Sequence, residues 1–275
     1  MVGAENLSFK PPAGTTAHKD LAYAGTDHPR QKLDLFIPPG AKTPVPVVLW
    51  IHGGGWLRGD RTQTRVPFLL KHGFALAIID YRYLTDAPFP AQVQDVNASL
   101  NWLHAHAEEY GLNRDLFVVG GSSAGAHLAV LASAARDEKS FGPDRRVRVR
   151  AILNYFGTMD LLTHWAYSPP ENDAREGSIS RLLGSQVAVR PDLARYASPV
   201  AYVGANTPPC LIVHGNKDAG ADVSQSRLLQ SHLKIAGVRA DLLLVPGAGH
   251  GGPLYQESPV EQKVVSFLHE LLTTK

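Results

Sequence analysis

The sequence GSSAG at positions 121–125 has the residue types of a nucleophilic serine held at a tight turn. It fits the pattern G-x-S-x-G, in which small residues on either side of the serine let neighbouring backbone approach closely. An apolar run from Leu116 precedes it, and a run rich in alanine and leucine, which favours a helix, follows it. We therefore predict that Ser123 is a nucleophile at a strand-to-helix turn. The alternative is a glycine-rich turn that only packs.

A nucleophilic serine needs a general base, and the pattern favours His250. This histidine follows the apolar run DLLLV and lies in a loop with glycines on both sides, which lets its imidazole swing back over the strand ends. The other histidines fit less well. His104 and His106 are two residues apart on a predicted helix and do not share a face, His127 is expected to point into packing, and His214 ends a strand.

The imidazole in turn needs a carboxylate to orient it. Asp218 in the sequence HGNKDAGAD follows a predicted strand by a few residues and is the favoured acid. Two alternatives stay open. Asp222 lies close behind but is expected to cap the next helix, and Asp160 follows the preceding strand.

The sequence HGGGW from His52 follows another apolar run. Ordering three consecutive glycines is costly, because glycine loses the most backbone freedom on folding. Bare backbone N–H groups are what stabilise the oxyanion formed when a serine attacks an acyl carbon. We therefore predict an oxyanion loop, with His52 holding it by hydrogen bonding rather than transferring protons. A plain glycine turn is the alternative.

The elements that must position these residues alternate along the chain. Apolar runs rich in β-branched residues, typical of strands buried on both faces, are separated by helix-like segments. We predict an α/β fold with a mostly parallel central sheet of about eight strands and helices on both faces. One half-exposed strand is expected from Lys32. Residues 1–275 are expected to form one domain, with a small cap-like excursion over about residues 157–203, for which an ordinary helical connection is the alternative.

Five motifs carry a family resemblance: HGGGW, DYRY with PFPAQVQDV, GSSAGAHLA, HGNKD and VPGAGHG, in that order. From about Leu33 to Leu271 the chain resembles the α/β-hydrolase esterases of the hormone-sensitive-lipase-like group. It is most similar to the small bacterial carboxylesterases and feruloyl-esterase-like members of BD-FAE type. The order Ser123, Asp218, His250 is the order of the triad in α/β-hydrolases.

This resemblance implies specific roles. The backbone N–H groups of Gly54, Gly55 and Ala124 would stabilise the oxyanion, and the cap would shape the acyl and alcohol pockets. Hormone-sensitive lipases usually carry an acidic residue immediately before the nucleophile. Here that residue is Ser122, which favours the feruloyl-esterase-like branch.

The function expected from these residues is a serine carboxylesterase that hydrolyses short-chain or aromatic carboxylic esters through an acyl-enzyme. The alternatives are another serine acyl hydrolase, such as a lactonase or peptidase, and a non-catalytic protein that binds a small molecule on the same fold. Four aromatic residues are candidates for the substrate pocket, with a core or surface position as the alternative for each: Trp56, Tyr83, Trp165 and Tyr167.

Composition narrows the partners. The chain has 275 residues, a formal net charge of +2 and one cysteine, Cys210, so it has no intrachain disulfide. The basic run at 145–150 is expected to be a solvated strand entry rather than a nucleic-acid site. No run approaches the length of a membrane span, and no metal-ligand cluster or phosphate loop is recognised. We expect no cofactor, a small-molecule ester as the partner, a monomer or homodimer, and a cytoplasmic location, or secretion if a signal peptide has been removed.

Overall fold

A computed structural model describes residues 9–142, 146–167 and 177–272. The strands in these ranges are β1 (Thr16–Ala22), β2 (Lys32–Ile37), β3 (Val45–Ile51), β4 (Ala75–Ile79), β5 (Leu112–Ser122), β6 (Val149–Tyr155), β7 (Cys210–Gly215) and β8 (Ala240–Val245). The α-helices are α1 (Ala91–Ala105), α2 (Ala124–Ala134), α3 (Leu161–Tyr167), α4 (Ser178–Leu183), α5 (Pro191–Tyr196), α6 (Ser224–Ile235) and α7 (Ser258–Leu272).

The strands form one sheet of eight in the order β1-β2-β4-β3-β5-β6-β7-β8. Strands β3 to β8 are parallel to their neighbours among themselves, whereas β2 is antiparallel to both β1 and β4. The predicted mostly parallel α/β sheet is confirmed. The strand order reverses at β3, which has β4 on one side and β5 on the other. Crevices at such reversals, outside the carboxyl ends of the strands, are where ligands bind in sheets of this kind.

Both faces of the sheet are covered, as the apolar runs predict. In β3, Leu49 and Ile51 belong to the core on the side of α1, α2 and α6, while Val48 and Trp50 belong to the core on the side of α7. All four side chains are fully buried. Burying one such side chain contributes about 1.5–3 kcal/mol, so the central strands are a rigid base for the loops at their ends.

Strand β2 differs from its predicted half-exposed state. Residues Leu33 to Phe36 are all buried, because β1 and β4 flank the strand and a charged residue on it has a partner. Asp34 Oδ1 lies 2.9 Å from Nε of Arg61. The alternation of polar and apolar residues therefore marks a buried ion pair rather than a solvent-facing edge.

The segment after β6 carries α3, α4 and α5. Asp160 caps α3, since its Oδ1 accepts a hydrogen bond from Leu162 N–H at 2.9 Å. Gln225 on α6 holds the start of the segment, because its Oε1 accepts from the N–H groups of Met159 and Asp160 at 2.9 and 2.8 Å. Part of the predicted cap, residues 168–176, lies outside the described residues, and a single domain with a cap stays a prediction. No helix in the described ranges has the length and apolar character needed to span a membrane.

Candidate active site

Ser123 lies at the turn between β5 and α2. Its backbone has φ 54° and ψ −120°, in a region that residues with a side chain rarely adopt. The turn presses against the end of β3, because a Cβ added at Gly121 or Gly125 would lie 2.7 or 2.1 Å from the carbonyl oxygen of Ile51. Only glycine fits at both positions. The Ser123 N–H donates to Tyr155 O at 2.9 Å, which fixes the turn from the β6 side.

Three side chains that are far apart in the chain meet at this turn. Ser123 Oγ lies 2.8 Å from His250 Nε2, and His250 Nδ1 lies 2.8 Å from Asp218 Oδ2 and 3.0 Å from Asp218 Oδ1. With its proton on Nδ1, the imidazole donates to the carboxylate and accepts from the serine hydroxyl. The imidazole is 33% exposed and the carboxylate is fully buried. We call these three residues the triad, and their geometry suits proton transfer from serine to histidine.

The Asp218 carboxylate is held ionised in a buried position. Burial opposes its charge, but hydrogen bonds from His214 and His250 outweigh burial and hold the pKa of Asp218 well below its usual range. The N–H groups of Gly220 and Ala221 also donate to Asp218 Oδ1, at 2.7 and 2.9 Å. A carboxylate with this many donors stays an acceptor at neutral pH, as an orienting group must.

The two other candidate acids have structural partners. Asp222 Oδ1 accepts from Ser224 N–H at 2.8 Å and so caps the first turn of α6, as the sequence suggested. Asp160 caps α3, as described above. Neither carboxylate is recorded in contact with His250, whereas Asp218 is.

Phe156 contacts the imidazole of His250 and was not identified from the sequence. The two ring centroids are 5.0 Å apart at an interplanar angle of 65°. Phe156 has φ 42°, which is unusual for a bulky residue, and its N–H donates to Val213 O at 2.9 Å. Tyr255 holds the loop of His250, because its hydroxyl donates a hydrogen bond to Gly249 O at 2.8 Å.

The glycine-rich loop after β3 comprises residues 53–55, and at position 54 its backbone conformation requires glycine. Gly54 has φ 118°, and a Cβ there would lie 1.9 Å from Arg58 O. The Gly54 carbonyl closes the turn by accepting from the N–H groups of Leu57 and Arg58, both at 3.2 Å. A Cβ at Gly53 would lie 3.3 Å from Cβ of Ser123, so the loop lies against the serine.

Two N–H groups of the glycine-rich loop are free among the described residues. Within the described residues, no acceptor takes a hydrogen bond from the N–H of Gly54 or Gly55. Ala124 is the first residue of α2, and the N–H groups of a helical first turn have no partner inside the helix. The loop lies against Ser123 through Gly53, and the role of Gly54, Gly55 and Ala124 as oxyanion donors stays a prediction.

His52 is packed as a support for the loop. Its Nδ1–H donates to Gly53 O at 2.7 Å, and its ring stacks on Tyr81 with centroids 4.5 Å apart. Burial lowers the pKa of His52 to about 4, although Asp80 Oδ1 lies 3.8 Å from its Nε2. At neutral pH the ring is therefore uncharged and donates one fixed hydrogen bond, as a residue that holds the loop would.

Two of the four aromatic candidates are engaged by protein groups. Trp56 is 4% exposed, and its ring meets that of His127 edge to face at 5.1 Å. Tyr83 donates its hydroxyl to Gly59 O, and the guanidinium of Arg30 lies 3.5 Å above its ring. The structure therefore gives both residues packing contacts, the alternative that the sequence left open, and their contact with substrate stays a prediction.

The other two lie on α3. Trp165 is half-buried and packs against the core. Tyr167 ends the helix with 79% of its surface exposed, so it does not line an enclosed pocket in the described part of the chain. The contact of Tyr167 with substrate stays a prediction.

A cavity of about 860 Å³ lies at the amino ends of β6 and β7, whereas the triad lies at the carboxyl ends of the strands. Its walls include Arg136, Arg148 and Pro209 and none of the triad. The hydrogen bonds of the triad, rather than the volume of this cavity, therefore identify the candidate site. In the described ranges, no cluster of three or more His, Cys, Asp and Glu side chains could hold a metal ion.

The family model named BD-FAE matches residues 33–233. The chain belongs to the BD-FAE family. That span includes Ser123, Asp218 and the glycine-rich loop, and it ends before His250. The chain is 29% identical over 260 residues to esterase LipC and 29% identical over 207 residues to esterase LipQ, both of Mycobacterium tuberculosis H37Rv.

These alignments cover 89% and 73% of this chain but 63% and 48% of LipC and LipQ, so the chain spans less than two thirds of these curated relatives. Among solved structures, a truncated carbohydrate esterase from gut microbiota superposes with a TM-score of 0.88 and 26% identity, covering 96% of this chain and 99% of that one. A bacterial heroin esterase superposes with a TM-score of 0.72 and 26% identity, covering 98% and 86%. The sheet is therefore that of the α/β-hydrolase esterases.

Proposed function

We propose that the chain is a serine carboxylesterase that hydrolyses small-molecule carboxylic esters. The observation that carries the proposal is the hydrogen-bonded path from Ser123 Oγ through His250 to Asp218, with distances of 2.8 Å at both steps. The path ends beside a loop of unpaired backbone N–H groups. Membership of the BD-FAE family and two relatives named esterases support the same activity.

In the acylation step, His250 Nε2 takes the hydroxyl proton of Ser123 while Oγ forms a bond to the ester carbonyl carbon. The carbonyl oxygen becomes an oxyanion that accepts hydrogen bonds from the N–H groups of Gly54, Gly55 and Ala124. Each such donor contributes about 2.7–4 kcal/mol to transition-state stabilisation. The bond to the alcohol then breaks, and the imidazolium returns its proton to the departing oxygen.

In the deacylation step, water takes the place of the alcohol. His250 accepts a proton from water as the water oxygen attacks the acyl carbon, and the same N–H groups hold the second oxyanion. The bond to Ser123 Oγ breaks, Oγ regains the proton, and the acid leaves. Throughout, the buried carboxylate of Asp218 holds the Nδ1–H tautomer and stabilises the imidazolium, since it remains ionised.

We infer that the acyl group is short or aromatic and that α3 borders its pocket. Helix α3 carries His164, whose pKa is lowered by burial and by the charge of His250. Trp165 on the same helix is half-buried and packs against the core, and we infer that its exposed part offers an aromatic surface to the acyl group. The similarity to a carbohydrate esterase and a heroin esterase is consistent with a small ester of a bulky alcohol.

The test is hydrolysis of p-nitrophenyl esters from acetate to palmitate, alongside methyl ferulate, by the wild type and by Ser123→Ala. We expect turnover of the shortest esters, a steep fall with acyl length, and loss of turnover in the variant. A fluorophosphonate probe should label the wild type and leave the variant unlabelled. The proposal fails if Ser123→Ala, folded and pure, keeps its turnover, or if the wild type hydrolyses no ester.

A further inference from the structure

The buried carboxylate of Asp218 contacts a second histidine besides His250. His214 Nε2 lies 3.3 Å from Asp218 Oδ2, and both side chains are fully buried. His214 ends β7, four residues before Asp218. The sequence indicates only that this histidine ends a strand, although it opens the HGNKD motif that carries part of the family resemblance.

The hydrogen bonds of His214 fix its tautomer. Its Nε2 lies 2.9 Å from Ala221 O, and a carbonyl only accepts, so Nε2 carries the proton. That N–H is therefore shared between the carbonyl and the Asp218 carboxylate. On the other side of the ring, Nδ1 lies within hydrogen-bond distance of Ser226 Oγ on α6, at 2.6 Å. Ser226 is fully buried as well.

These contacts close a ring of hydrogen bonds around the carboxylate. Ala221 donates its N–H to Asp218 Oδ1 at 2.9 Å and accepts from His214 through its carbonyl. His214 thus ties the loop of Asp218 to β7 and, through Ser226, to α6. A carboxylate held from this side keeps Oδ2 directed at His250 Nδ1, 2.8 Å away.

We propose that His214 is a positioning residue of the esterase, which orients the Asp218 carboxylate toward His250 and is itself set by Ser226. This inference rests on the proposed function. His214 does not touch substrate or the reacting atoms, so it acts on the rate through Asp218. The series of side-chain contacts then runs from Ser226 through His214, Asp218 and His250 to Ser123.

Two amide substitutions separate this role from simple packing. In His214→Gln the side-chain N–H₂ reaches the place of Nε2 and can still donate to Asp218 and Ala221. In His214→Asn the shorter side chain reaches the place of Nδ1, so the contact with Ser226 is kept and the donor to Asp218 is lost. We expect kcat near wild type for the glutamine variant and a loss of about 10- to 100-fold for the asparagine variant, with KM unchanged. The expected size of the kcat loss follows from metal sites, where removing a residue that orients a ligand side chain lowers activity by about 10- to 100-fold.

A double-mutant cycle shows whether the effect passes through Asp218. In an Asp218→Asn background, the difference in kcat between the two amide variants should vanish, because the group they orient is gone. A role limited to packing would lower the melting temperature of both variants and leave their kcat values equal. As a control, His106→Gln changes a histidine at the C-terminal end of α1, away from the triad, that bonds the carbonyl of Trp102 at 2.8 Å.

A proton NMR measurement tests the inference without any turnover. The His250 Nδ1–H bonded to Asp218 should give a far-downfield resonance that Asp218→Asn removes. We expect this resonance in the wild type and in His214→Gln, and its loss or broadening in His214→Asn. An unchanged resonance together with unchanged kcat in His214→Asn would overturn the positioning role. A wild type that shows the resonance and hydrolyses no ester would overturn the proposed function instead.

Discussion

Replacing Gly54 by alanine is expected to disable the glycine-rich loop while leaving the triad in place. A Cβ at this position would lie 1.9 Å from Arg58 O, and φ there is 118°. Side-chain carbons do not approach other heavy atoms closer than 3.0 Å, so the loop must move by more than 1.1 Å, the difference between 3.0 and 1.9 Å. The carbonyl of Gly54 holds two turn hydrogen bonds that this movement would break.

A displacement of this size takes an oxyanion donor out of reach. Loss of one donor costs about 100- to 1000-fold in kcat, or about 2.7–4 kcal/mol of transition-state stabilisation. We expect Gly54→Ala to show that loss on p-nitrophenyl acetate, with KM changed little, because the donors act on the oxyanion more than on the bound ester. Fluorophosphonate labelling of Ser123 should slow in parallel.

The matched control is Gly73→Ala. Gly73 also has a positive φ, 82°, but an added Cβ there meets no atom within 4 Å. It carries the backbone strain without the clash, about 1–2 kcal/mol. We expect a lower melting temperature and wild-type kcat for Gly73→Ala. Near wild-type kcat in a folded Gly54→Ala would refute the assignment of this loop to the oxyanion.

Four further predictions concern the triad and its surroundings. The depressed pKa of Asp218 stabilises the fold above the ordinary carboxyl value of about 3.9, and this contribution is lost as pH falls below it, so the unfolding free energy of Asp218→Asn should fall less on acidification than that of the wild type. The same variant should lose about 10,000-fold in kcat through the wrong imidazole tautomer. His52→Leu should leave Gly53 O without its partner and lower the unfolding free energy by about 1–3 kcal/mol, measured in urea. A loss of transition-state stabilisation, calculated from kcat, that exceeds this loss of unfolding free energy would contradict a supporting role. Tyr167→Ala should keep the KM for p-nitrophenyl esters because the ring is exposed, whereas Trp165→Ala should raise it, and the opposite result would reverse the assignment of the pocket.

The local parts of the site were open to prediction from the sequence. The turn at Ser123 needs small neighbours because the backbone of β3 passes within contact distance. The glycines at positions 121 and 125 meet this requirement and are visible in the sequence. Asp222 was correctly placed as a helix cap, because capping depends on residues two or three positions apart. The parallel sheet followed from apolar runs too long and too uniform for a half-exposed strand.

Other features depended on packing between distant segments. The alternation in β2 looked half-exposed, and only its pairing with β1 and β4 and the contact of Asp34 with Arg61 show that the strand is buried. The aromatic candidates were chosen by their positions in the chain, which say nothing about which way a ring faces. Tyr83 is held behind the glycine-rich loop and Tyr167 faces solvent for reasons of three-dimensional packing alone.

The sequence by itself determined the fold class and the turn at Ser123, because each rests on short-range sterics or on repeated patterns of burial, and its resemblance to the α/β-hydrolases implied the order of the triad. The tertiary structure decided which imidazole nitrogen faces which oxygen and that His214 stands behind Asp218. His250 and Ser123 are 127 residues apart in the chain, and His250 and Asp218 are 32 apart. Such pairs meet only when the parallel strands bring their carboxyl ends to one edge of the sheet, and no local pattern encodes the resulting distances.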